Sequence, residues 1–224
     1  MSKGVCIISG GLDSCVVAYD MKKNLNLEME YITFDYGQKH RKEIKYAEQI
    51  AKDLESKWTL LNINYHESVM KFSSLTGEKE VPEGYYAEEN MRSTVVPNRN
   101  TIMLSMAWAY ACTAKAILLG CGAHAGDHYI YPDCRPEYFY HLEQAFQLGT
   151  IGCRHDDLRL FVPLLNYEKC DVIKAGIELG IPFEKTWTCY KGLEEPCGKC
   201  GSCDERIRAF EKCGLKDPVE YANV

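Results

Sequence analysis

Apolar positions along this chain fall in short β-branched runs that alternate with amphipathic stretches. Gly4-Val5-Cys6-Ile7-Ile8 is the first run, followed by Ser9-Gly10-Gly11 and then Leu12-Asp13-Ser14-Cys15-Val16-Val17. The pattern predicts a strand, a tight turn and a helix. Residues 28–35 predict a second strand, ending at Tyr36-Gly37. Ile44, Ala47, Ile50, Ala51 and Leu54 share one face of a helix predicted over 40–54. Further strands are predicted over 58–63, 116–121 and 160–165, and further helices over 102–114, 167–179 and 204–213. This alternation implies an α/β fold, a parallel doubly wound sheet with helices on both faces. Ligands on such sheets sit beyond the carboxyl ends of the strands. Residues 65–97 are polar and weakly patterned, and a loop of that length predicts an active-site cover.

Within this frame the Gly10-Gly11 turn is the first candidate site. Glycines allow positive φ and close approach of backbone to a ligand. The free N–H groups of the following helix favour an anion, and Ser9 and Ser14 add hydroxyls. A phosphate or pyrophosphate is the expected guest. A plain strand-to-helix turn, with Asp13 or Ser14 as cap, is the alternative. Neither the Walker nor the dinucleotide glycine pattern is present. Arg99 opens the 102–114 helix region, where a cation is out of place unless it faces an anion. Asp127, Tyr131, Asp133 and Arg135 lie in a proline-punctuated stretch after a strand. A carboxylate there can accept from the N–H edge of a guanine-like ring while tyrosine stacks on its face; a local Asp133–Arg135 ion pair is the alternative.

Composition narrows the classes. The chain has 224 residues and a net charge of -6, which offers no general nucleic-acid surface. The first residues run directly into a strand, and no apolar run reaches the ~20 residues of a membrane span. A soluble, cytoplasmic protein is the expectation. Of the twelve cysteines, eight are scattered singly and are expected to be mostly buried free thiols. The other four, Cys189, Cys197, Cys200 and Cys203, form two successive C-x-x-C pairs after a longer gap. Four soft ligands at this spacing suit one tetrahedral, structural zinc ion. An iron–sulfur cluster is the alternative, although the first gap is wrong for a ferredoxin run and no Cys-Pro follows. The expected organisation is a main domain over 1–186, with residues 187–224 as a cysteine-bearing segment and closing helix packed on it.

The string Ser9-Gly10-Gly11-Leu12-Asp13-Ser14 resembles the signature of the PP-loop ATP pyrophosphatases, which share the adenine nucleotide alpha hydrolase-like fold. Further strings bring the chain close to one branch of that family. They are Phe34-Asp35-Tyr36-Gly37-Gln38-Lys39-His40, Val96-Pro97-Asn98-Arg99-Asn100, Asp133-Cys134-Arg135-Pro136-Glu137 and the four-cysteine block. Together they resemble the 7-cyano-7-deazaguanine synthase family over nearly the whole chain. Asn98 stands where that family often has glycine, and Lys39 where it often has arginine. Asn tolerates left-handed backbone and Lys keeps the charge. The resemblance implies a ligase that uses ATP with magnesium, and ammonia, to turn a 7-carboxy-7-deazaguanine into a nitrile. Ile8, Ser9, Gly10, Gly11, Leu12, Asp13 and Ser14 would bind ATP. Asp13, Arg99 and Lys169 would be catalytic, and Asp127, Tyr131, Asp133 and Arg135 would bind the base. A homodimer is implied as well. A tRNA-thiolating PP-loop enzyme and a non-enzymatic zinc-binding interaction module are the other readings.

Overall fold

The computed structural model describes residues 1–63, 73–154 and 156–222. Five parallel strands form one sheet in the order β3-β2-β1-β4-β5: β1 (Lys3–Ile7), β2 (Glu28–Asp35), β3 (Lys57–Asn62), β4 (Leu118–Gly120) and β5 (Arg159–Phe161). The order reverses between β1 and β4, which pair from Gly4↔Leu118 to Cys6↔Gly120. That reversal is where a doubly wound sheet opens a crevice at its carboxyl edge. β5 is shorter than its apolar run because Pro163 cannot donate to a ladder.

Alternation along the strands divides the core in two. Cys6, Met29 and Tyr31 face one side, against helices α1 (Leu12–Lys23), α2 (Glu43–Asp53), α5 (Lys169–Glu178) and α6 (Gly201–Lys212). Val5, Ile32 and Phe34 face the other, against α3 (Arg99–Ala114) and α4 (Pro136–Gly149). α2 buries Ala47, Ile50 and Ala51. α3 starts after Asn98, whose φ of 55° lies in the left-handed region that asparagine tolerates. α4 lies outside the pattern read from the sequence. It begins at Pro136, which pre-sets helical φ at a first helical position, so the proline that suggested a loop marks a helix start instead.

A third, smaller core holds Val81, Trp187 and the four clustered cysteines. Arg206 of α6, 1% exposed, is its polar anchor. Its guanidinium donates to both carboxylate oxygens of Asp217, to Thr186 and Thr188 Oγ1 and to the Phe183 carbonyl. The single cysteines depart from the expectation of buried thiols. Cys170 and Cys213 are joined as a disulfide between α5 and the end of α6, and Cys153 is exposed. Cys6, Cys15 and Cys134 are buried and free. No helix among the described residues is long and apolar enough to cross a membrane.

Candidate active site

The turn after β1 is built by its serines and by one glycine. Ser9 N–H donates to Ser14 Oγ (3.1 Å), Gly11 N–H to Ser9 Oγ (3.2 Å), and Ser14 Oγ–H to the Gly11 carbonyl (3.0 Å). Gly10 has φ +87°, and a Cβ on it would lie 2.3 Å from the Glu43 carbonyl oxygen. Its absent side chain therefore admits the first turn of α2 against the loop. Gly122, after β4, does the same for α1, since a Cβ there would lie 2.8 Å from Ser14 N.

These turns border a cavity of about 220 Å³ at the strand-order reversal. Ile8, Ser9, Gly11, Leu12, Asp13 and Ser14 line it after β1. Phe34, Tyr36 and His40 line it after β2, Arg99 from α3, His124 and Asp127 after β4, and Lys169 from α5. Tyr131 closes part of the wall, its hydroxyl 2.7 Å from Thr94 Oγ1. Two of the sequence candidates stand apart from the lining. Asp133 Oδ2 accepts from Asn100 N–H at 3.1 Å, capping α3, and Arg135 is exposed with its Nε–H on the His128 carbonyl. Gly10 packs on α2 rather than facing the cavity.

Lys169 is the charge centre of one end. Its Nζ is 2.8 Å from Asp13 Oδ2, 3.1 Å from Glu205 Oε2 and 3.2 Å from His124 Nε2. Asp127 joins this group, Oδ1 lying 3.6 Å from His124 Nε2 and accepting from Tyr86 O–H at 2.9 Å. Burial pushes the Asp13 carboxyl up, but Lys169 and His124 together outweigh it and the net shift is downward. For Glu205 burial wins and its pKa rises. Lys169 itself is pulled down by burial and raised further by Asp13 and Glu205, so it stays charged. Asp13 Oδ1 is buried without a hydrogen-bond partner among the described residues.

The other end is less charged. Arg99 has no ion-pair partner among the described residues; its guanidinium lies over the Tyr36 ring and donates to the Tyr36 hydroxyl at 3.2 Å. His40, 4% exposed, brings Nε2 to 3.4 Å from Glu43 Oε1, an oxygen that also accepts from Gln38 Nε2 at 3.1 Å. Burial draws the His40 pKa down to about 3, with Arg99 adding to the shift, and pushes Glu43 up to about 8 against the opposing pull of Gln38 and Arg99.

The C-terminal segment closes the cavity, contributing Trp187, Thr188, Tyr190, Ser202 and Glu205. The sequence reading did not find Glu205, His124 or Tyr86. Glu205 is two residues from Cys203, and that spacing is the one local clue to its place. Tyr86 comes from the weakly patterned 65–97 stretch, whose residues 65–72 lie outside the described part. Glu83 pairs with Cys200, and Gly84 N–H donates to the Lys199 carbonyl, so this stretch spans from the cysteine segment to the cavity. The cysteine sulfurs all lie within 4.8 Å of one another and are buried. Bonds of ~2.3 Å to a tetrahedral ion imply sulfur separations of ~3.8 Å, so the donor set fits one ion. Cys200 N–H and Lys199 N–H both point at Cys197 Sγ, at 3.2 and 3.4 Å.

The family model for the queuosine biosynthesis protein QueC matches residues 3–214. The chain belongs to the QueC family. It is 46% identical over 219 residues to the 7-cyano-7-deazaguanine synthase of Methanoregula boonei, covering 98% of this chain and 99% of that one. It is 44% identical over 221 residues to the synthase of the same name from Pseudoalteromonas translucida, covering 98% of each. Solved structures share the fold at much lower identity. The NMN synthetase of Francisella tularensis superimposes with a TM-score of 0.53 at 15% identity, over 96% of this chain and 78% of that one. The U34-tRNA thiolase NcsA of Methanococcus maripaludis gives 0.51 at 15%, over 94% and 67%. This QueC family member therefore has the PP-loop-type α/β fold that its sequence predicts, with a cysteine cluster able to hold a metal near its C-terminus.

Proposed function

We propose that this chain is an ATP-dependent ligase that converts 7-carboxy-7-deazaguanine and ammonia into 7-cyano-7-deazaguanine, with release of AMP and pyrophosphate. The observation that carries the reading is Lys169, bonded to Asp13 beside the Ser9–Ser14 turn, in a full-length relative of named synthases. A carboxylate is a poor electrophile, so its oxygen first has to become a leaving group. Adenylation does that. Ammonia then displaces AMP to give the amide, adenylation of the amide oxygen follows, and loss of AMP leaves the nitrile.

Within this scheme Ser9, Gly11 and the first turn of α1 hold the polyphosphate through N–H and hydroxyl donors. Lys169 and Arg99 stabilise charge developing on the departing phosphates. Phe34, Met103 and Tyr131 supply apolar and aromatic wall for a planar base, and Asp127 an acceptor for its N–H edge. Magnesium, a hard ion that takes carboxylate oxygens and keeps several waters, suits the unpartnered Asp13 Oδ1, with Asp127 and Glu205 nearby. Bound there, it would offset phosphate charge. Zinc is our reading of the cysteine ion, one per chain; four thiolates leave it no open position, so its role is structural.

The test is mass spectrometry of a reaction with ATP, magnesium, ammonium and 7-carboxy-7-deazaguanine, scoring both nucleotide and base. AMP together with the nitrile is expected. AMP with an unchanged base would redirect the search to another acid or a tRNA, and ADP alone would end the proposal.

A further inference from the structure

The Cys170–Cys213 disulfide and the four clustered cysteines belong to one covalent arrangement. Cys170 lies in the first turn of α5, directly after Lys169, and Cys213 follows the last residue of α6. The two are 43 residues apart in the chain, and their Cα atoms 5.9 Å apart, a distance that a disulfide spans without moving the backbone. Trp187, Glu205 and all four clustered cysteines lie inside the loop that this bond closes. The bond sits where α5, which carries Lys169, meets α6, which brings Glu205 to within 3.1 Å of it. A Lys212–Glu168 ion pair crosses the same junction, but its side chains are 65% and 67% exposed, and such pairs contribute little.

The loop also sets the surroundings in which the bond exists. Four cysteines have to be thiolates to hold a metal ion, and Cys6, Cys15, Cys121 and Cys134 are free as well. A chain with this requirement works where thiols are kept reduced, and there an accessible disulfide exchanges with the thiol pool. Cys213 is accessible, being half-buried between the exposed Lys212 and Gly214. Cys170 is buried, so thiol exchange enters through Cys213.

We propose that Cys170 and Cys213 form a reversible thiol–disulfide clamp that sets how firmly the metal-bearing segment closes over the cavity. Its redox partner is a small thiol–disulfide couple of the glutathione type. On closing, the Cys213 thiolate attacks the small disulfide and one small thiolate leaves. The Cys170 thiolate then attacks the mixed disulfide at the Cys213 sulfur and expels the second. Two protein thiols are oxidised, one small disulfide is reduced to two thiols, and the protons of the cysteines pass to the departing thiolates. Opening is the reverse. Closed, the bond restricts the unfolding of everything between its ends, including the wall contributed by Trp187, Tyr190 and Glu205. Open, the segment depends on its metal and on Arg206, whose partner Asp217 lies outside the loop.

The test uses the zinc-loaded protein, equilibrated without oxygen in glutathione buffers of graded ratio. Alkylation after denaturation should count two fewer thiols in the oxidised form, and peptide mapping should place the bond between Cys170 and Cys213. Amide hydrogen exchange in α6 should be slower in that form by ~10-fold or more, and loss of zinc to excess chelator should slow by a similar factor. Cys213→Ser should behave as the reduced wild type in every buffer. A pair that stays wholly thiol or wholly disulfide across the ratios overturns the inference. So does equal hydrogen exchange in the two states, or a redox response that survives in Cys213→Ser. The comparison of the two wild-type states needs no variant, and it decides alone if Cys213→Ser fails to fold. Protein that takes up no zinc would end the metal reading, while hydrogen exchange would still decide the clamp.

Discussion

At one end of the cavity Lys169 is shared by Asp13 and Glu205, at 2.8 and 3.1 Å, with His124 and Asp127 behind them. At the other, Glu43 meets an amide and an imidazole, and Arg99 rests on a tyrosine ring. Both ends are buried, yet burial acts on them differently. At the charged end it leaves Asp13 ionised, because Lys169 and His124 together offset the lost solvation. At the other it keeps Glu43 largely protonated near neutrality. Glu205 touches the same lysine as Asp13 and its pKa is still raised, so a buried carboxylate's state is set by the balance of all nearby charge against burial, not by one neighbour.

The two ends share a wall, and breaking it should give the largest effect. Glu205 and Tyr190 flank the cysteine cluster and serve opposite ends, so Cys200→Ser should abolish activity and the bound metal together. Structural zinc contributes on the order of 10–16 kcal/mol in small peptides, comparable with a whole domain's ~5–15 kcal/mol. Metal analysis and Trp187 fluorescence check this; a metal-free, fully active variant would refute it. Next comes Lys169→Met, which strips the charged end of its cation. A fall in kcat of ~10²–10³ is expected, and steady-state kinetics would check it. An unchanged kcat would contradict a role for Lys169 at the charged end.

A smaller effect concerns pH. Glu43 has a folded pKa near 8, above the ~4.3 of an unfolded glutamate. Between those values the folded state binds the extra proton, so this group's contribution to stability falls as pH rises from about 4.3 to 8 and is level above that. Glu43→Gln should therefore flatten the stability profile over that window, and gain relative to wild type most at pH 8 and above. Denaturant titrations from pH 5 to 9 would show it, and parallel profiles would contradict it. Smallest is Tyr86→Phe, which removes one hydrogen bond to Asp127. A loss of ~1 kcal/mol in kcat/KM is expected, and a loss beyond a hundredfold would mean that Tyr86 does more than brace.

What the sequence made legible was what is local. The β1 run, its serines and glycines, the apolar stripe of α2 and the two C-x-x-C pairs each carry their signal within a few residues. The cavity's partners did not follow, because Lys169, Glu205 and Asp13 are brought together by packing of α5, α6 and α1 rather than by spacing. Asp133 was legible as a polar residue near the site, but whether it faces a base or caps α3 depends on where α3 begins. Gly10 was read as a ligand-side glycine, whereas the tight contact it relieves is with Glu43, 33 residues on.

Arg206 sets a schedule for making this molecule. A ribosome releases the chain from the amino end, and Asp217 emerges eleven residues after Arg206, later than every residue that lines the cavity. Until then Arg206 would be a buried cation without its carboxylate, which is strongly unfavourable. The strand-and-turn half can settle early, but α6 has reason to wait, and with it Glu205. The nascent protein thus acquires the serine–glycine turn after β1 well before the wall that closes over it.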